Sequence, residues 1–264
     1  MNKKVPLYLI LIAAIISLFT GCSLKEAKAR EKSTTLMVVA AASMETVLEE
    51  AVIPIFEEKY SDIDVLGSYD ASGKLALQIQ EGIPADIFLS ASMSHMEDLQ
   101  KKELIKKENT VNLLENKLVL IVPKASKGSY KTFQDISNAK TIAIGDPLSV
   151  PAGEYGREVL EAMGLWEEIY ERASLGTNVT EVLRWVAEGS AEAGLVYSTD
   201  AALEKDKVVV IEEAPKEFLK KKILYPAGII EDCENLEAAK EFLAFLSSEE
   251  VKDIFISYGF SPVK

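Results

Sequence analysis

The chain has 264 residues, 48% of them hydrophobic, with 29 Lys and Arg against 42 Asp and Glu, one His and two Cys. A formal charge of −13 excludes a protein that grips nucleic acid through a basic face. One His and two Cys are too few for a zinc or iron–sulfur centre or a disulfide framework.

Lys3 and Lys4 open the chain with positive charge, and an apolar run over 5–16 continues into Ser17-Leu18-Phe19. That run is too short to span a bilayer comfortably and reads as the core of a secretory signal over residues 1–21. Thr20-Gly21-Cys22 then puts small residues directly before a cysteine. The segment resembles the lipobox of bacterial lipoproteins, although Phe19 stands where an aliphatic residue is usual. The resemblance implies lipidation of Cys22 and an extracytoplasmic protein held at the membrane. An uncleaved anchor helix with Cys22 incidental is the alternative. Residues 22–34 are polar and charged, without apolar periodicity, and read as a tether. Removing 1–21 takes Lys3 and Lys4 and leaves a charge of −15. Cys233 is then expected to be buried and inert.

Beyond the tether, apolar runs predict strands at 36–40, 64–69, 86–90, 118–122, 141–144, 193–197, 208–211 and 228–230. Between them, Val47, Leu48, Ala51, Val52 and Ile55 recur at helical spacing, as do Val179, Val182, Leu183 and Val186. Leu75 with Ile79, and the stripe from Phe242 to Leu246, add two more helices. Strand–helix alternation with near-continuous apolar strands predicts an α/β fold with mostly parallel sheets covered on both faces. About 230 ordered residues fit two lobes better than one sheet.

Enzymatic readings fail in turn. His95, in Met93-Ser94-His95-Met96, has no acidic partner in a recognisable motif and reads as a surface or capping residue. No Gly-x-Ser-x-Gly elbow occurs. The stretch from Gly67 to Lys74 has the wrong glycine spacing for a phosphate loop, and Leu75 stands where Ser or Thr would meet magnesium. No catalytic residue, cofactor or resident metal is expected.

Four segments instead put small or hydroxyl residues where a strand ends and a helix begins. They are Ala40-Ala41-Ala42-Ser43; Tyr69-Asp70-Ala71-Ser72-Gly73-Lys74; Gly145-Asp146-Pro147 with Val150-Pro151-Ala152-Gly153; and Thr177-Asn178-Val179-Thr180. Helix N-termini carry unsatisfied N–H groups and partial positive charge, so they suit an anion. Ligands of open α/β sheets bind at the carboxyl ends of strands, where these segments lie. Taken singly, Ser43 and Ser72 read more readily as N-caps than as ligand contacts, Pro151-Ala152-Gly153 as a turn, and Tyr197 as packing; only the combination points to a ligand.

In order, these strings resemble the molybdate-binding proteins that serve ABC importers. The likeness also includes Gly82-Ile83-Pro84-Ala85-Asp86-Ile87-Phe88, Gly194-Leu195-Val196-Tyr197-Ser198-Thr199-Asp200-Ala201 and Tyr258-Gly259-Phe260, and it covers residues 35–264. It implies a two-lobed periplasmic-binding-protein fold of type II, with the ligand cleft between lobes. One lobe would comprise 35–117 and 226–264, the other 118–225, with crossings at 118–123 and 223–227. The family's oxyanion donors fall on the hydroxyls of Ser43, Ser72 and Tyr197 and the backbone N–H groups of Ala152 and Val179. Asp70 and Lys74 depart from the small polar residues of the pattern, and Asp70 is expected to face solvent.

The function implied is high-affinity extracytoplasmic binding of molybdate or tungstate by neutral donors, and delivery to a membrane permease. The alternative is another small oxyanion such as sulfate in the same fold. No reaction is implied, and no partner beyond the anion, the permease and the membrane reached through the lipid anchor; the protein would be a monomer. A shell of neutral donors also predicts little pH dependence of binding near neutrality.

Overall fold

The computed structural model describes residues 34–263. The expected signal peptide over 1–21, Cys22 and the expected tether up to residue 33 lie outside the described residues. Thr34 opens strand β1 (Thr34–Ala41), whose residues from Val38 to Ala41 are all buried, as expected of a strand covered on both faces. A helical run over 42–59 (α1) follows, starting as a 3₁₀ turn at Ala42–Met44 and widening to a π-type turn at Leu48–Val52. Pro54 lies just beyond that turn. A proline here removes one backbone donor and crowds the preceding turn, which the wider winding accommodates.

The chain then alternates between strands and helices, β2 (Ile63–Asp70), α2 (Ser72–Gln80), β3 (Ile87–Leu89) and α3 (Met93–Lys101), before a strand that the sequence pattern did not predict, β4 (Ile105–Asn116). It continues through β5 (Leu118–Pro123), β6 (Ile142–Gly145), α4 (Pro151–Ala162), α5 (Trp166–Tyr170), β7 (Ala173–Gly176), α6 (Val179–Ala187), β8 (Ala193–Tyr197) and α7 (Ser198–Leu203). The last elements are β9 (Val208–Glu213), β10 (Ile223–Ile230), α8 (Leu236–Leu246), α9 (Glu249–Ser257) and β11 (Ser261–Pro262).

Among the described residues the strands form two sheets, β11-β4-β10-β3-β1-β2 and β7-β6-β8-β5-β9. Both are mixed rather than mostly parallel. The helix-connected strands β1, β2 and β3, and β6, β7 and β8, run parallel. By contrast β10 opposes β3 and β4, and β5 opposes β8 and β9. The sequence pattern could not reveal this, because a strand buried on both faces reads alike in either direction.

The chain passes between the sheets at Lys117 and again over 214–222. The segments expected to cross, 118–123 and 223–227, are fully paired strands, and Ile223, Leu224 and Tyr225 already pair with β4. The strand predicted at 228–230 starts five residues earlier, at Ile223, and runs through Pro226, which cannot donate to a ladder. The structure places Pro226 at a register shift in the pairing with β4, where a missing donor is tolerated. A core of buried aliphatic residues draws on both sheets, and around Phe56 it is aromatic: Phe242 meets that ring edge-on at 4.8 Å. Cys233 is half-buried rather than buried, and burial, then the nearby Asp86 charge, push its thiol up.

Candidate functional site

Parallel strands joined by helices release their chain at one edge of the sheet, so residues just past β1, β2, β6 and β7 are brought together. Ser43 lies in the 3₁₀ turn after β1, and its Oγ is 2.9 Å from Tyr225 Oη. Ser72 is the first residue of α2. It does not cap that helix, since the N-cap is Ala71. Its Oγ accepts the Ala91 N–H at 3.0 Å, which leaves its own O–H to donate.

α4 begins at Pro151, and its N-cap Val150 offers no side-chain oxygen. Proline has no N–H, so the first donor at this helix end is Ala152. Val179 is the first residue of α6, capped by Asn178, whose Oδ1 accepts the Glu181 N–H at 3.0 Å. Tyr197 ends β8 with 1% of its surface exposed, and its Oη has no hydrogen-bond partner among the described residues. All five line one small cavity, together with Asp70, Ala71 and Pro151 among others. Measured to water centres it holds about 10 Å³, roughly the room one water needs.

The cavity edge carries three helix N-termini, those of α2, α4 and α6, and among the described residues no Lys or Arg lines it. Among the described residues Asp70 is the one charged residue of the lining. It was expected to face solvent; instead it sits at the rim, with its side chain one-third exposed. Oδ1 accepts the Ala71 N–H at 2.7 Å and lies 3.3 Å from Lys74 Nζ. Its charge is therefore taken up by Lys74 and the backbone rather than aimed at a ligand.

Elements of the two sheets meet around this cavity. The Gly73 N–H donates to the Ser149 carbonyl at 3.0 Å, and Asn178 Nδ2 reaches Asp70 Oδ1 at 3.5 Å. His95 Nε2, on α3, lies 2.8 Å from Glu154 Oε1 on α4. The sequence offered His95 no acidic partner in a local motif; the partner comes from the other sheet's helices, 59 residues away.

Burial pushes the phenols of Tyr197 and Tyr225 well above their ordinary value, so both remain protonated donors at neutral pH. Asp200 is a residue that the sequence reading missed. It lies buried on α7, its Oδ2 accepts the Tyr197 N–H at 3.1 Å, and burial pushes its carboxyl up to about 7. The acidic residue three places after Tyr197, at a helix start, was a legible capping signal. The expectation of little pH dependence near neutrality took no account of this carboxyl, which burial raises and which interacts with Tyr197 and Tyr225. Among the described residues no cluster of His, Cys, Asp and Glu fits a metal ion, and no helix is long and apolar enough to cross a membrane.

The pattern of bacterial extracellular solute-binding proteins matches residues 36–261. YvgL of Bacillus subtilis (strain 168) is 36% identical over 99% of each chain. The molybdate-binding protein ModA of Haemophilus influenzae is 35% identical, covering 87% of this chain and 91% of its own. The solved structure of the Azotobacter vinelandii periplasmic molybdate-binding protein superposes with a TM-score of 0.76 at 22% identity, over 87% of this chain and all of that one.

Two mixed sheets flanked by helices, with a small cavity at the strand ends, define the type II periplasmic-binding-protein fold. The chain belongs to the bacterial extracellular solute-binding proteins, and within them it is ModA-like. It is a solute-binding protein, not an enzyme.

Proposed function

We propose that the protein binds molybdate, and tungstate of nearly the same size, outside the cytoplasm and passes it to the membrane permease of an ABC importer. The observation that carries this reading is the Tyr197 hydroxyl, buried without a partner in a cavity that also receives Ser43, Ser72 and three helix N-termini. A buried hydroxyl without a partner costs free energy, and an oxyanion would satisfy it. The hydroxyls of Ser43, Ser72 and Tyr197 and the N–H groups of Ala152 and Val179 would then donate to one small anion. Ser43 and Ser72 come from a lobe built on the β1 sheet. Ala152, Val179 and Tyr197 come from a lobe built on the β6 sheet, so binding holds the two lobes together.

All five donors are neutral, which suits a fully deprotonated tetrahedral dianion. Monohydrogen phosphate needs an acceptor for its proton, and the one carboxylate at the rim, Asp70, already takes the Ala71 N–H and pairs with Lys74. Mo–O and W–O bonds are longer than S–O bonds, so selection against sulfate would come from the size of the site around the bound anion rather than from charge. Lipidation at Cys22 would hold the protein near the permease, while the net negative charge makes capture of the anion local rather than steered by the overall field.

Calorimetric titration of the full chain, kept in solution with mild detergent, with molybdate, tungstate, sulfate and phosphate in turn tests this reading. Binding of molybdate and tungstate alone is the expected result. Binding of sulfate or phosphate instead would keep an oxyanion site but change its cargo. Heat from none of the four would sink the site.

A further inference from the structure

We propose that Asn116, which does not line the cavity, is a positioning residue that fixes the direction in which Ser43 donates its proton. The inference rests on the oxyanion reading of the cavity and adds to it a residue that decides whether one wall donor is available. Asn116 ends β4, immediately before the chain passes to the other sheet, and is buried.

All four hydrogen-bonding positions of its side-chain amide are engaged. Oδ1 accepts the Lys117 N–H at 2.8 Å and the Ser198 hydroxyl at 3.0 Å. Nδ2 donates to Thr199 Oγ1 at 2.9 Å and to Tyr225 Oη at 3.2 Å. A backbone N–H can only donate, so the atom facing Lys117 must be the oxygen, and the NH₂ must face Tyr225.

The consequence runs along the chain of hydroxyls. Tyr225 Oη accepts from Asn116, and its own proton goes to its remaining partner, Ser43 Oγ, 2.9 Å away. Ser43 Oγ therefore accepts from Tyr225, and its proton is left for the cavity it lines. Taken alone, the contact between Ser43 and Tyr225 has no direction, since either oxygen can donate. The amide at 116 supplies the direction, and chains of hydrogen bonds aligned in this way strengthen one another. If the direction were reversed, Ser43 would spend its proton on Tyr225 and present a lone pair to an anion.

The prediction separates reversing the chain from cutting it. In Tyr225→Phe nothing donates to Ser43, but its proton stays free, so molybdate should bind about 3- to 10-fold more weakly as the hydroxyl loses its fixed orientation. In Asn116→Asp the carboxylate, nearly the same shape, takes the Tyr225 proton and turns Ser43 around. The loss should exceed that of Tyr225→Phe, at roughly 30-fold or more. The double variant Asn116→Asp/Tyr225→Phe has no phenol to turn, and it should bind molybdate more tightly than Asn116→Asp alone. A merely structural role for Asn116 would not produce that rescue, because packing damage accumulates.

The experiment is calorimetric titration of molybdate into the full chain in mild detergent, for the wild type and these three variants. Unchanged or tighter binding by Tyr225→Phe would mean that Ser43 donates to Tyr225, and would overturn the inference. So would a double variant weaker than Asn116→Asp. If Asn116→Asp fails to fold, the sign of the Tyr225→Phe change decides by itself. Wild-type protein that binds no oxyanion would overturn the function reading and the inference together. Wild-type binding with either contrary result would overturn the inference alone.

Discussion

The Gly73 N–H donates to the Ser149 carbonyl at 3.0 Å, a backbone hydrogen bond that ties the start of α2 to the loop before α4. A Cβ at position 73 would lie 2.6 Å from that carbonyl oxygen and 2.9 Å from Ser149 Cα. Both atoms are backbone and cannot swing aside. Gly73→Ala is therefore expected to hold the two sheets' elements apart at the cavity, weakening molybdate binding by about tenfold or more. Kd from calorimetry and the radius of gyration from small-angle scattering check this. The variant should be less compact with ligand present than wild type.

Gly153→Ala is a contrasting case. Its Cβ would lie 2.1 Å from the Gly145 carbonyl oxygen, where α4 packs on the end of β6. Strand and helix there belong to one body and cannot move apart, so the cost falls on folding. A loss on the order of 2–4 kcal/mol is expected for overpacking against backbone. Denaturant unfolding without ligand measures it.

The two serines should not behave alike. Ser72→Ala leaves the buried Ala91 N–H without its acceptor, so stability and affinity fall together. Ser43→Ala leaves Tyr225 Oη without that partner but still bonded to Asn116. It should lose affinity by about 10-fold or more, with a smaller loss of stability. Paired melting and titration curves for both variants decide it.

Asp200 sets a pH dependence with a definite sign. Burial raises its carboxyl from 3.8 to about 7, so between about pH 4 and pH 7 the folded protein holds a proton that the unfolded chain has released. Stability falls as pH rises through that window and levels off above it. Asp200→Asn keeps an oxygen for the Tyr197 N–H without the titration, and should gain on the order of 2–4 kcal/mol relative to wild type at pH 8. Once ionised, Asp200 also places negative charge near Tyr197 and Tyr225. Wild-type affinity for molybdate should therefore weaken a few-fold from pH 6 to pH 8, and Asp200→Asn should flatten that profile.

What could be read in the sequence was what is local. β1 and β8 are unbroken apolar runs, and the hydroxyls of Ser43 and Ser72 stand beside the elements that position them. β4 escaped notice because Lys106, Lys107 and Glu108 open it with exposed charges. β7, four residues long and half exposed, offers no apolar run. Sheet direction was illegible for the same reason that the strands were easy to find: burial on both faces erases the alternation. The contact of Asn116 with Tyr225 joins positions 109 residues apart and had no local signature. Asp70 illustrates the converse: its charge was visible, but its neutralisation by Lys74 one helical turn on needed coordinates.

The most direct test of the account is thermal unfolding of the wild type and of Tyr197→Phe, each with and without molybdate. Removing a buried hydroxyl that lacks a partner should leave the ligand-free variant as stable as wild type or more so, by about 1 kcal/mol. Molybdate at a hundred times the wild-type Kd should stabilise the wild type by about 2.7 kcal/mol, roughly 5–10 °C, and the variant by clearly less. Curves that cross in this way are what an oxyanion held by Tyr197 predicts. An equal shift for both proteins, or no shift for the wild type, would contradict it.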